Sequence, residues 1–482
     1  MVTFCISVVL LILGYIFYGR VVEKVFNKDS NRETPVNRLA DGVDYVRLPA
    51  WKCFMIQFLN IAGVGPIFGA ILGAMYGPSC YLWIVFGCIF AGAVHDYMTG
   101  MISLRKDGKN MPFIVRSQLG KFMGHFMDVV MIAMLLMVIV AFTKSPSQLL
   151  SGLTNDNMSV MTWETIIILY FFVASFVPID KIIGRIYPLF GIILLGTAVA
   201  LCIAMFVNNA PVPEITDGLF NRQNPEKQPI FPMMFVSIAC GAISGFHASQ
   251  SPIISKCLAN EDLGRPIFYG SMITEGIVAL IWAAVASSFF GGYGGLASFL
   301  AEHENSAAAV VSTACTGWLG KVGGIIGILG VVCACITSGD TALRSSRLVI
   351  SELFNFNKNS IWTRIVIIIP FLIAATFIMS IRFDVIWRYF GWTNQFLSMF
   401  ALWSATIYLT KRKRFFVITL IPAIFMTFIC TSFICFAEYG FRMSLDASYT
   451  AAIFITVIFS LAFIGWYRYV YVKNDWEQDD KN

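Results

Sequence analysis

Residues 237–252 read SIACGAISGFHASQSP, and they lie within a segment that is otherwise apolar enough to cross a bilayer. The stretch contains glycines, serines, a glutamine, a proline and one of only four histidines in the chain. Backbone groups that leave a helix in hydrocarbon lose their hydrogen-bond partners, which is costly. Such a break is tolerated where it faces protein or a water-filled cavity. The stretch therefore predicts a transmembrane helix that is interrupted at a binding site.

A second interruption of the same kind occurs at residues 60–69, NIAGVGPIFG. Its glycines permit the backbone to unwind, and its proline suits the first turn of a new half-helix, where no backbone N–H is needed. The positive end of that half-helix would point to the middle of the membrane and favour a carboxylate. We predict that both breaks bind substrate. The residues concerned are Gly63, Val64, Gly65 and Pro66 in the first break and Ser244, His247, Ser249 and Gln250 in the second.

The composition is that of an integral membrane protein. Of the 482 residues 57% are hydrophobic and only 13% are charged, and the mean hydropathy is +0.74. Apolar runs of about 20 residues, the length that spans a bilayer as a helix, recur along the whole chain. They predict about 13 transmembrane helices, at 2–19, 53–77, 79–104, 123–143, 162–179, 187–207, 231–256, 267–291, 321–343, 361–380, 385–409, 415–436 and 446–470.

The distribution of basic residues predicts the orientation of these helices. With the N-terminus outside and the C-terminus in the cytoplasm, the inward-facing segments carry 27 of the 34 Lys and Arg residues. This agrees with the tendency of Lys and Arg to remain on the cytoplasmic side. The same bias accounts for the net charge of +6, so the charge gives no reason to expect nucleic-acid binding.

The two breaks hold matching positions in two blocks of five helices, since each lies in the first helix of its block. Five is an odd number, so the blocks have opposite orientations in the membrane, as in the inverted repeats of transporters. The predicted organisation is an anchor helix and cytoplasmic loop at 1–52, a first repeat at 53–207, an external loop at 208–230, a second repeat at 231–409, and two further helices with a cytoplasmic tail at 410–482.

Several polar residues outside the breaks are candidates for substrate binding or ion coupling. Ionisable groups at membrane depth commonly mark such pathways. As adjacent helical residues point in different directions, a histidine next to an aspartate in the third helix need not form a dyad. One alternative for the aspartate in SGDTALR (338–344) is an ion pair with the arginine four residues later. The candidates are Asn394 and Gln395 for substrate, and His95, Asp96, Glu275, Thr337, Ser338 and Asp340 for proton or ion coupling.

The sequence gives no indication of an enzyme or of a cofactor. Its 12 cysteines lie mostly in apolar segments, and their spacing matches neither a disulfide framework nor a zinc motif. Motifs such as HExxH and GxSxG are absent. Because a nucleotide-binding motif is absent as well, we expect no cofactor, no metal and an H⁺ or Na⁺ gradient as the source of energy.

A series of motifs in this chain resembles the signature blocks of the carbon starvation protein A family. They occur in the family's order and cover most of the chain from about residue 40 to 410. The blocks are DGVDY (41–45), IAGVGPIFGAILGAMYG (61–77), GAVHDY (92–97), SIACGAISGFHA (237–248), SGDTALRSSRLVISEL (338–353) and FGWTNQFLSMFAL (390–402).

This resemblance implies a bacterial inner-membrane protein linked to nutrient uptake during carbon starvation. Family members are described as peptide transporters, some of them take up pyruvate with protons, and they are grouped with the amino acid, polyamine and organocation transporters. The implied fold is similar to that of the leucine transporter. The chain is short for the family, has His95 where several relatives have glutamine, and reads SQSP after SGFHA.

Together, the residues and the resemblance predict an all-α, multi-pass membrane protein with a five-plus-five inverted repeat, one additional N-terminal helix and two additional C-terminal helices. We expect a secondary active transporter that imports short peptides, with proton-coupled uptake of pyruvate as the alternative. A sensor or channel with the transporter fold is the alternative from another class. The expected partners are a small-molecule substrate and membrane lipid, and the oligomeric state stays open.

Overall fold

A computed structural model describes residues 1–42, 45–154, 157–176, 179–219, 228–354, 356 and 360–473. Over these residues the regular structure is helical, and no β-strand occurs in them. Val43 and Asp44 of the DGVDY block, residues 220–227 of the predicted external loop and the predicted tail from 474 onward lie outside the described residues.

The helices follow one another in the order that the hydropathy predicts. Single turns at Pro35–Arg38 and Ile215–Asp217 lie in the connections. The longer helices are α1 (Val2–Phe26), α2 (Ala50–Ala62), α3 (Gly65–Ala74), α4 (Ser79–Arg105), α5 (Met111–Leu119), α6 (Lys121–Leu153), α7 (Val160–Ala174), α8 (Ile179–Val207), α9 (Ile230–Met234 continued by Phe235–Ser237), α10 (His247–Ser255), α11 (Glu261–Phe289), α12 (Tyr293–Glu302), α13 (Ala307–Leu353), α14 (Ile361–Ile378), α15 (Phe383–Lys411), α16 (Val417–Phe436) and α17 (Leu445–Lys473).

The number of helices agrees with about 13 predicted spans. Within the described residues, nine helices are long and apolar enough to cross a membrane, and the bent pair α2 and α3 makes ten. The three other predicted spans correspond to α7, which has 15 residues, to the interrupted pair α9 and α10, and to α15, which contains buried polar residues. The prediction of a multi-pass helical protein is confirmed.

Both predicted interruptions are present. The axes of α2 and α3 differ in direction by 46°, and the chain turns at Gly63, whose φ of +47° is a left-handed conformation that favours glycine. In the second interruption, residues 238–246 lie between α9 and α10 without continuous helix. Each break therefore creates a half-helix, α3 or α10, that begins inside the protein.

The two breaks lie in the most deeply buried part of the molecule. The ring of Phe142 from α6 lies 6.0 Å from that of Phe246 in the second break and 5.9 Å from that of Phe390 in α15. A Cβ atom added to Gly63 would lie 2.7 Å from the Phe142 ring, so this ring also packs against the first break. The Phe142 side chain of α6 thus packs against both interruptions.

Some helices extend beyond their predicted limits. We predicted a span ending at 343, but α13 continues to Leu353, and the predicted start at 321 coincides with a kink at Gly320, whose φ is +68°. Likewise α6 ends at Leu153 and not near 143. The length of an apolar run corresponds to the thickness of the hydrocarbon layer. The backbone hydrogen bonds of the helix continue into the polar segment that follows, so the helix is longer than the run.

Candidate functional site

A buried carboxylate between two histidines connects α4 to the second break. Oδ1 of Asp96 lies 2.8 Å from Nδ1 of His95, and Oδ2 of Asp96 lies 2.8 Å from Nδ1 of His247, the first residue of α10. The side chains of all three residues are fully buried. Asp96 therefore fixes the orientation of the His247 ring and leaves its Nε2 atom to face away from α4.

That Nε2 atom faces a second buried carboxylate, on α11. It lies 3.4 Å from Oε2 of Glu275, and neither oxygen of Glu275 nor Nε2 of His247 has a hydrogen-bond partner among the described residues. The Cys240 thiol also lies here, since the ligand atoms of Cys240, His247 and Glu275 are all within 4.8 Å of one another. The polar atoms at this point are packed together but not mutually satisfied.

Asn394 of α15 holds the second break in its unwound shape. Its Oδ1 atom accepts hydrogen bonds from the hydroxyl of Ser244 and the backbone N–H of Phe246, and its backbone oxygen accepts from Gly245 N–H at 3.0 Å. Its Nδ2 atom lies 3.5 Å from the Cys240 sulfur. The amide thus provides the partners that the interrupted helix lacks, which is the general requirement for a break in a membrane.

The first break contacts both the second break and α13. A Cβ atom added to Gly65, the first residue of α3, would lie only 2.2 Å from the Cβ atom of Cys240. On the other side, the hydroxyl of Ser338 donates to the backbone oxygens of Leu59 and Asn60, both at 3.2 Å. These two carbonyls belong to the last turn of α2, where helix acceptors lack their usual partners, although that of Leu59 also accepts the N–H of Gly63 at 3.4 Å. Val64 and Pro66, which flank Gly65, are fully buried as well.

Two predicted coupling residues are occupied in contacts away from the breaks. The carboxylate of Asp340 accepts from Nε of Arg344 at 3.1 Å and from the hydroxyl of Tyr187 in α8 at 3.1 Å. The hydroxyl of Thr337 donates to the backbone oxygen of Ala334 in its own helix. The ion pair at spacing i, i+4, which the sequence left as an alternative, is thus formed, and only Ser338 of this group contacts a break.

The remaining predicted substrate residues lie beside the central cluster, which consists of the buried side chains of His95, Asp96, Cys240, His247 and Glu275. Gln395 donates to the backbone oxygen of Phe235 at 2.6 Å and so anchors α9. Ser249 donates to the backbone oxygen of Phe246 and accepts from Gln250, whose Oε1 atom has no partner within the described part of the chain. Ser249 also lines a cavity, whereas Gln395 contacts α9, the first half of the broken helix.

Cavities open near both ends of the helices. One of about 220 Å³ lies at the end that carries the basic loops, and its lining includes Ser249, Lys256 and Glu352. Another of about 680 Å³ lies at the opposite end, lined in part by Arg382 and Arg388. Between them the site itself is closed in this structure, because the side chains of the central cluster are inaccessible to solvent.

The structure corrects the interpretation of His95 and Asp96. We expected that these neighbours need not act together, because successive residues of a helix point about 100° apart. Their side chains nevertheless touch, since a carboxylate has two acceptor oxygens and Asp96 binds each histidine with a different one. Both residues therefore belong to one cluster with His247.

Sequence reasoning missed three buried polar residues close to the breaks. Cys240 was counted among the ordinary apolar cysteines. Gln57 and Asn60, in the last two turns of α2, are fully buried, and their side-chain amides have no partner among the described residues. The available signal was their position, because an amide within an apolar span just before a glycine-rich break is more costly than one at a helix end.

The buried carboxylates of the site have no basic side chain beside them other than histidine among the described residues. The ion pairs formed by Asp96 and Glu275 within the described residues involve only histidines, without Lys or Arg. Two buried carboxylates with neutral imidazoles would leave uncompensated negative charge, which is costly in a membrane. Protons, an ammonium group or a metal cation are the species that would compensate this charge.

The comparison of the chain with known proteins agrees with a membrane transporter. A family model described as "Carbon starvation protein CstA" matches residues 1–161 and 153–318. An uncharacterized membrane protein of Haemophilus influenzae is 41% identical over 336 residues, which cover 60% of this chain and 90% of that protein. Peptide transporter CstA of Campylobacter jejuni is 30% identical over 57% of this chain and 48% of that protein. Peptide transporter CstA of Escherichia coli is 28% identical over 57% of this chain and 48% of that protein.

The chain spans about half the length of these curated peptide transporters. Among solved structures, a manganese transporter of Eremococcus coleocola superposes with a TM-score of 0.57 at 13% identity, over 90% of this chain and 98% of that chain. At that identity the likeness shows the fold alone, which is that of a membrane transporter. The match of the family model over two blocks that together reach from residue 1 to residue 318 shows that this chain belongs to the carbon starvation protein CstA family.

Proposed function

We propose that this protein is a secondary active transporter that imports short peptides and draws its energy from an ion gradient. The observation that carries this proposal is the direct contact of the two interrupted helices around buried, incompletely satisfied polar groups. The relatives that carry the name peptide transporter support the choice of substrate. As a transporter and not an enzyme, the protein needs to bind its substrate and move it, without altering its covalent bonds.

The chemistry of the site suits the two ends of a peptide. The N-termini of α3 and α10 present backbone N–H groups and positive dipole ends, which favour the C-terminal carboxylate. The carboxylates of Glu275 and Asp96 supply the negative charge that the ammonium end requires. We propose Gln57 and Asn60 as further hydrogen-bonding groups, because their amides are buried near the same break and unpaired.

Either H⁺ or Na⁺ would couple transport to a gradient, and each has its own residues. Protons would use the chain of His95, Asp96, His247 and Glu275, whose polar atoms follow one another at 2.8–3.4 Å. A sodium ion would use the hydroxyl of Ser338 and the carbonyls at the end of α2, with Thr337 in the same turn. The ion pair of Asp340 with Arg344 favours a structural role for Asp340.

Uptake of pyruvate, a small carboxylate, is the second candidate. It is favoured by His247, because a histidine at the start of a half-helix forms an anion site once it is protonated. Pyruvate has no ammonium group, so Glu275 would then serve only for protons. A sensor or channel with this fold differs from both candidates because it would not concentrate its ligand.

We further propose that residues 53–207 and 231–409 form the two inverted repeats and that the face with the basic loops is cytoplasmic. In this proposal the protein lies in the cell inner membrane and its N-terminus faces away from the cytoplasm. Residues 1–52, 208–230 and 410–482 are not part of the repeats. The outer surfaces of α1, α14 and α17 carry many exposed apolar side chains, which suit contact with lipid.

The experiment that tests this function is uptake into liposomes that contain the purified protein. Labelled dipeptide and labelled pyruvate are supplied separately, each under an H⁺ gradient and under a Na⁺ gradient. Accumulation of dipeptide above its external concentration, abolished when the gradient is dissipated, is the expected result. Accumulation of pyruvate alone would replace peptide with the second candidate, and equilibration without accumulation would identify a channel.

A further inference from the structure

We propose that Cys240, His247 and Glu275 form a binding site for a divalent transition-metal ion of the zinc class. The site is argued from donor chemistry alone. It shares His247 and Glu275 with the proposed substrate and proton sites, so a bound metal ion would compete there with the ammonium group of a peptide. The three side chains come from two elements, the second break with α10 and the long helix α11. One ion would therefore join a residue within the interruption, the first residue of α10 and a residue of α11.

The donor atoms are close to the separation that an ion requires. One ligand atom from each residue lies within 4.8 Å of the other two, and all three side chains are buried. Bonds from zinc to sulfur, nitrogen and oxygen are about 2.0–2.3 Å long, so a bound ion would bring the three donors somewhat closer together. Three protein ligands would leave one tetrahedral position for water or another ligand.

The donors on His247 and Glu275 are available. In the described residues, Nε2 of His247 and both carboxylate oxygens of Glu275 have no hydrogen-bond partner. The Cys240 sulfur makes long contacts, 3.6 Å to the Ser244 hydroxyl and 3.5 Å to the Asn394 amide, and it also interacts with the His247 ring. Buried polar atoms are nearly always hydrogen-bonded in native proteins. Nε2 of His247 and the two oxygens of Glu275 lack a hydrogen bond in the described residues and have only the 3.4 Å contact between Nε2 and Oε2, beside a thiol, which indicates a missing partner.

The surroundings supply the support that metal ligands usually have. Asp96 contacts Nδ1 of His247 at 2.8 Å, so Nε2 carries the free lone pair when Nδ1 bears the proton. This carboxylate–histidine–metal arrangement fixes the tautomer and the ring orientation and makes the histidine a better ligand. A dication would also compensate the two buried carboxylates, Asp96 and Glu275, which lack a Lys or Arg partner among the described residues.

The ligand types select the class of metal. Thiolate and imidazole suit zinc and similar first-row ions, whereas Ca²⁺ and Mg²⁺ prefer oxygen ligands only. The sequence spacing gave no indication of this site because the three residues are separated by 7 and 28 positions, and only the unwound second break brings the thiol toward the histidine.

The test uses the purified full-length chain and Co²⁺, which occupies zinc sites and absorbs visible light. Wild-type protein is expected to bind one Co²⁺ with a thiolate-to-metal absorption band, and Zn²⁺ but not Mg²⁺ should displace it. Cys240→Ser should lose the band, whereas Cys335→Ser, a substitution at another buried cysteine, should retain it. Asp96→Asn should weaken binding about 10–100-fold and keep the band.

X-ray absorption of the Zn²⁺-loaded wild-type protein tests the same site without any substitution. One sulfur with two or three nitrogen or oxygen ligands is the expected result. The proposal is overturned if the wild type binds no zinc at stoichiometric concentration, if the bound ion has no sulfur ligand, or if Cys240→Ser keeps the thiolate band. Since neither readout includes a transported substrate, such a failure would leave the proposed function in place.

Discussion

Two glutamates on the same helix, Glu261 and Glu275, are equally buried and have opposite surroundings. Glu261, at the start of α11, receives Nε and Nη2 of Arg105 at 2.8 Å each, Nε of Arg32 at 3.5 Å and the backbone N–H of Asp29 at 2.7 Å. For Glu275, about four turns further, the only ion-pair partner within the described part of the chain is the ring of His247 at 3.4 Å. The first carboxylate is thus fully paired, whereas neither oxygen of the second accepts a hydrogen bond from a described residue.

This difference separates a structural ion pair from a binding site. The Arg105 guanidinium also lies over the Phe26 ring, 4.2 Å from its centroid, so the paired glutamate ties α1, α4 and α11 together at the basic face. Glu275 has a single 3.4 Å contact with an imidazole among the described residues, and the burial of such a carboxylate costs stability. Buried charges are normally paired, and exceptions are expected where function requires them. We therefore propose a structural role for Glu261 and a functional role for Glu275.

The comparison predicts its largest effects on thermal stability. Glu261→Gln leaves Arg105 buried beside an uncharged amide and should destabilise the protein by about 3–5 kcal/mol. Glu275→Gln removes a charge that has no cationic Lys or Arg partner among the described residues, so stability should be unchanged or higher. Thermal unfolding in detergent, followed by tryptophan fluorescence, measures both. Equal destabilisation by the two substitutions would show that Glu275 is structural as well.

The contact between the two breaks provides a second test. Gly65→Leu places a branched side chain where even a Cβ atom would lie 2.2 Å from that of Cys240, so uptake should be abolished while the protein still inserts. Gly196→Leu is the matched control, because a Cβ atom there meets nothing within 4 Å. Uptake into liposomes is compared at equal amounts of inserted protein. Normal uptake by the Gly65 variant would contradict direct contact of the breaks.

A smaller effect is expected where α13 supports the first break. Ser338→Ala removes the hydroxyl that donates to the carbonyls of Leu59 and Asn60, which should cost about 1 kcal/mol of stability. If sodium drives transport, the same change should raise the Na⁺ concentration for half-maximal uptake. Ser346→Ala, in the same helix, removes only a bond to Leu343 and is the control. An identical Na⁺ dependence in both variants would remove Ser338 from the coupling site.

The smallest effect is expected for an exposed pair on the basic face. A hydrogen bond from Lys28, at 2.8 Å, lowers the pKa of the Asp262 carboxyl. The pair therefore contributes stability above the usual aspartate pKa of about 3.9 and loses it as pH falls through the lowered value. Because both groups are solvated, Asp262→Asn should change the unfolding temperature very little at pH 7. A large decrease in the unfolding temperature at pH 7 would show that this pair stabilises the protein as strongly as a buried ion pair.

The sequence predicted the fold through features that hydrocarbon imposes directly. Apolar length predicts the spans, and glycine with proline at mid-span predicts the breaks, because both follow from backbone hydrogen bonding without water. Helix ends were less predictable, as in α13, since polar residues continue a helix as readily as they end it.

The site was predicted only in part. Polarity at membrane depth identified His95, Asp96, His247 and Glu275, which the structure brings into one cluster. It also selected Asp340, because an aspartate that pairs with an arginine one turn away looks the same in sequence as one that binds an ion. Cys240 was missed, since a thiol in an apolar span gives no signal until its neighbours in space are known.

Uptake by His247→Ala is the most direct test, because this residue belongs to the second break and contacts both buried carboxylates. Labelled dipeptide uptake is measured in liposomes under an imposed gradient, with His303→Ala as the control at an exposed histidine. We predict that His247→Ala abolishes accumulation while membrane insertion stays near that of the wild type, and that His303→Ala transports normally. Near-normal accumulation by His247→Ala would contradict a binding site formed at the two breaks.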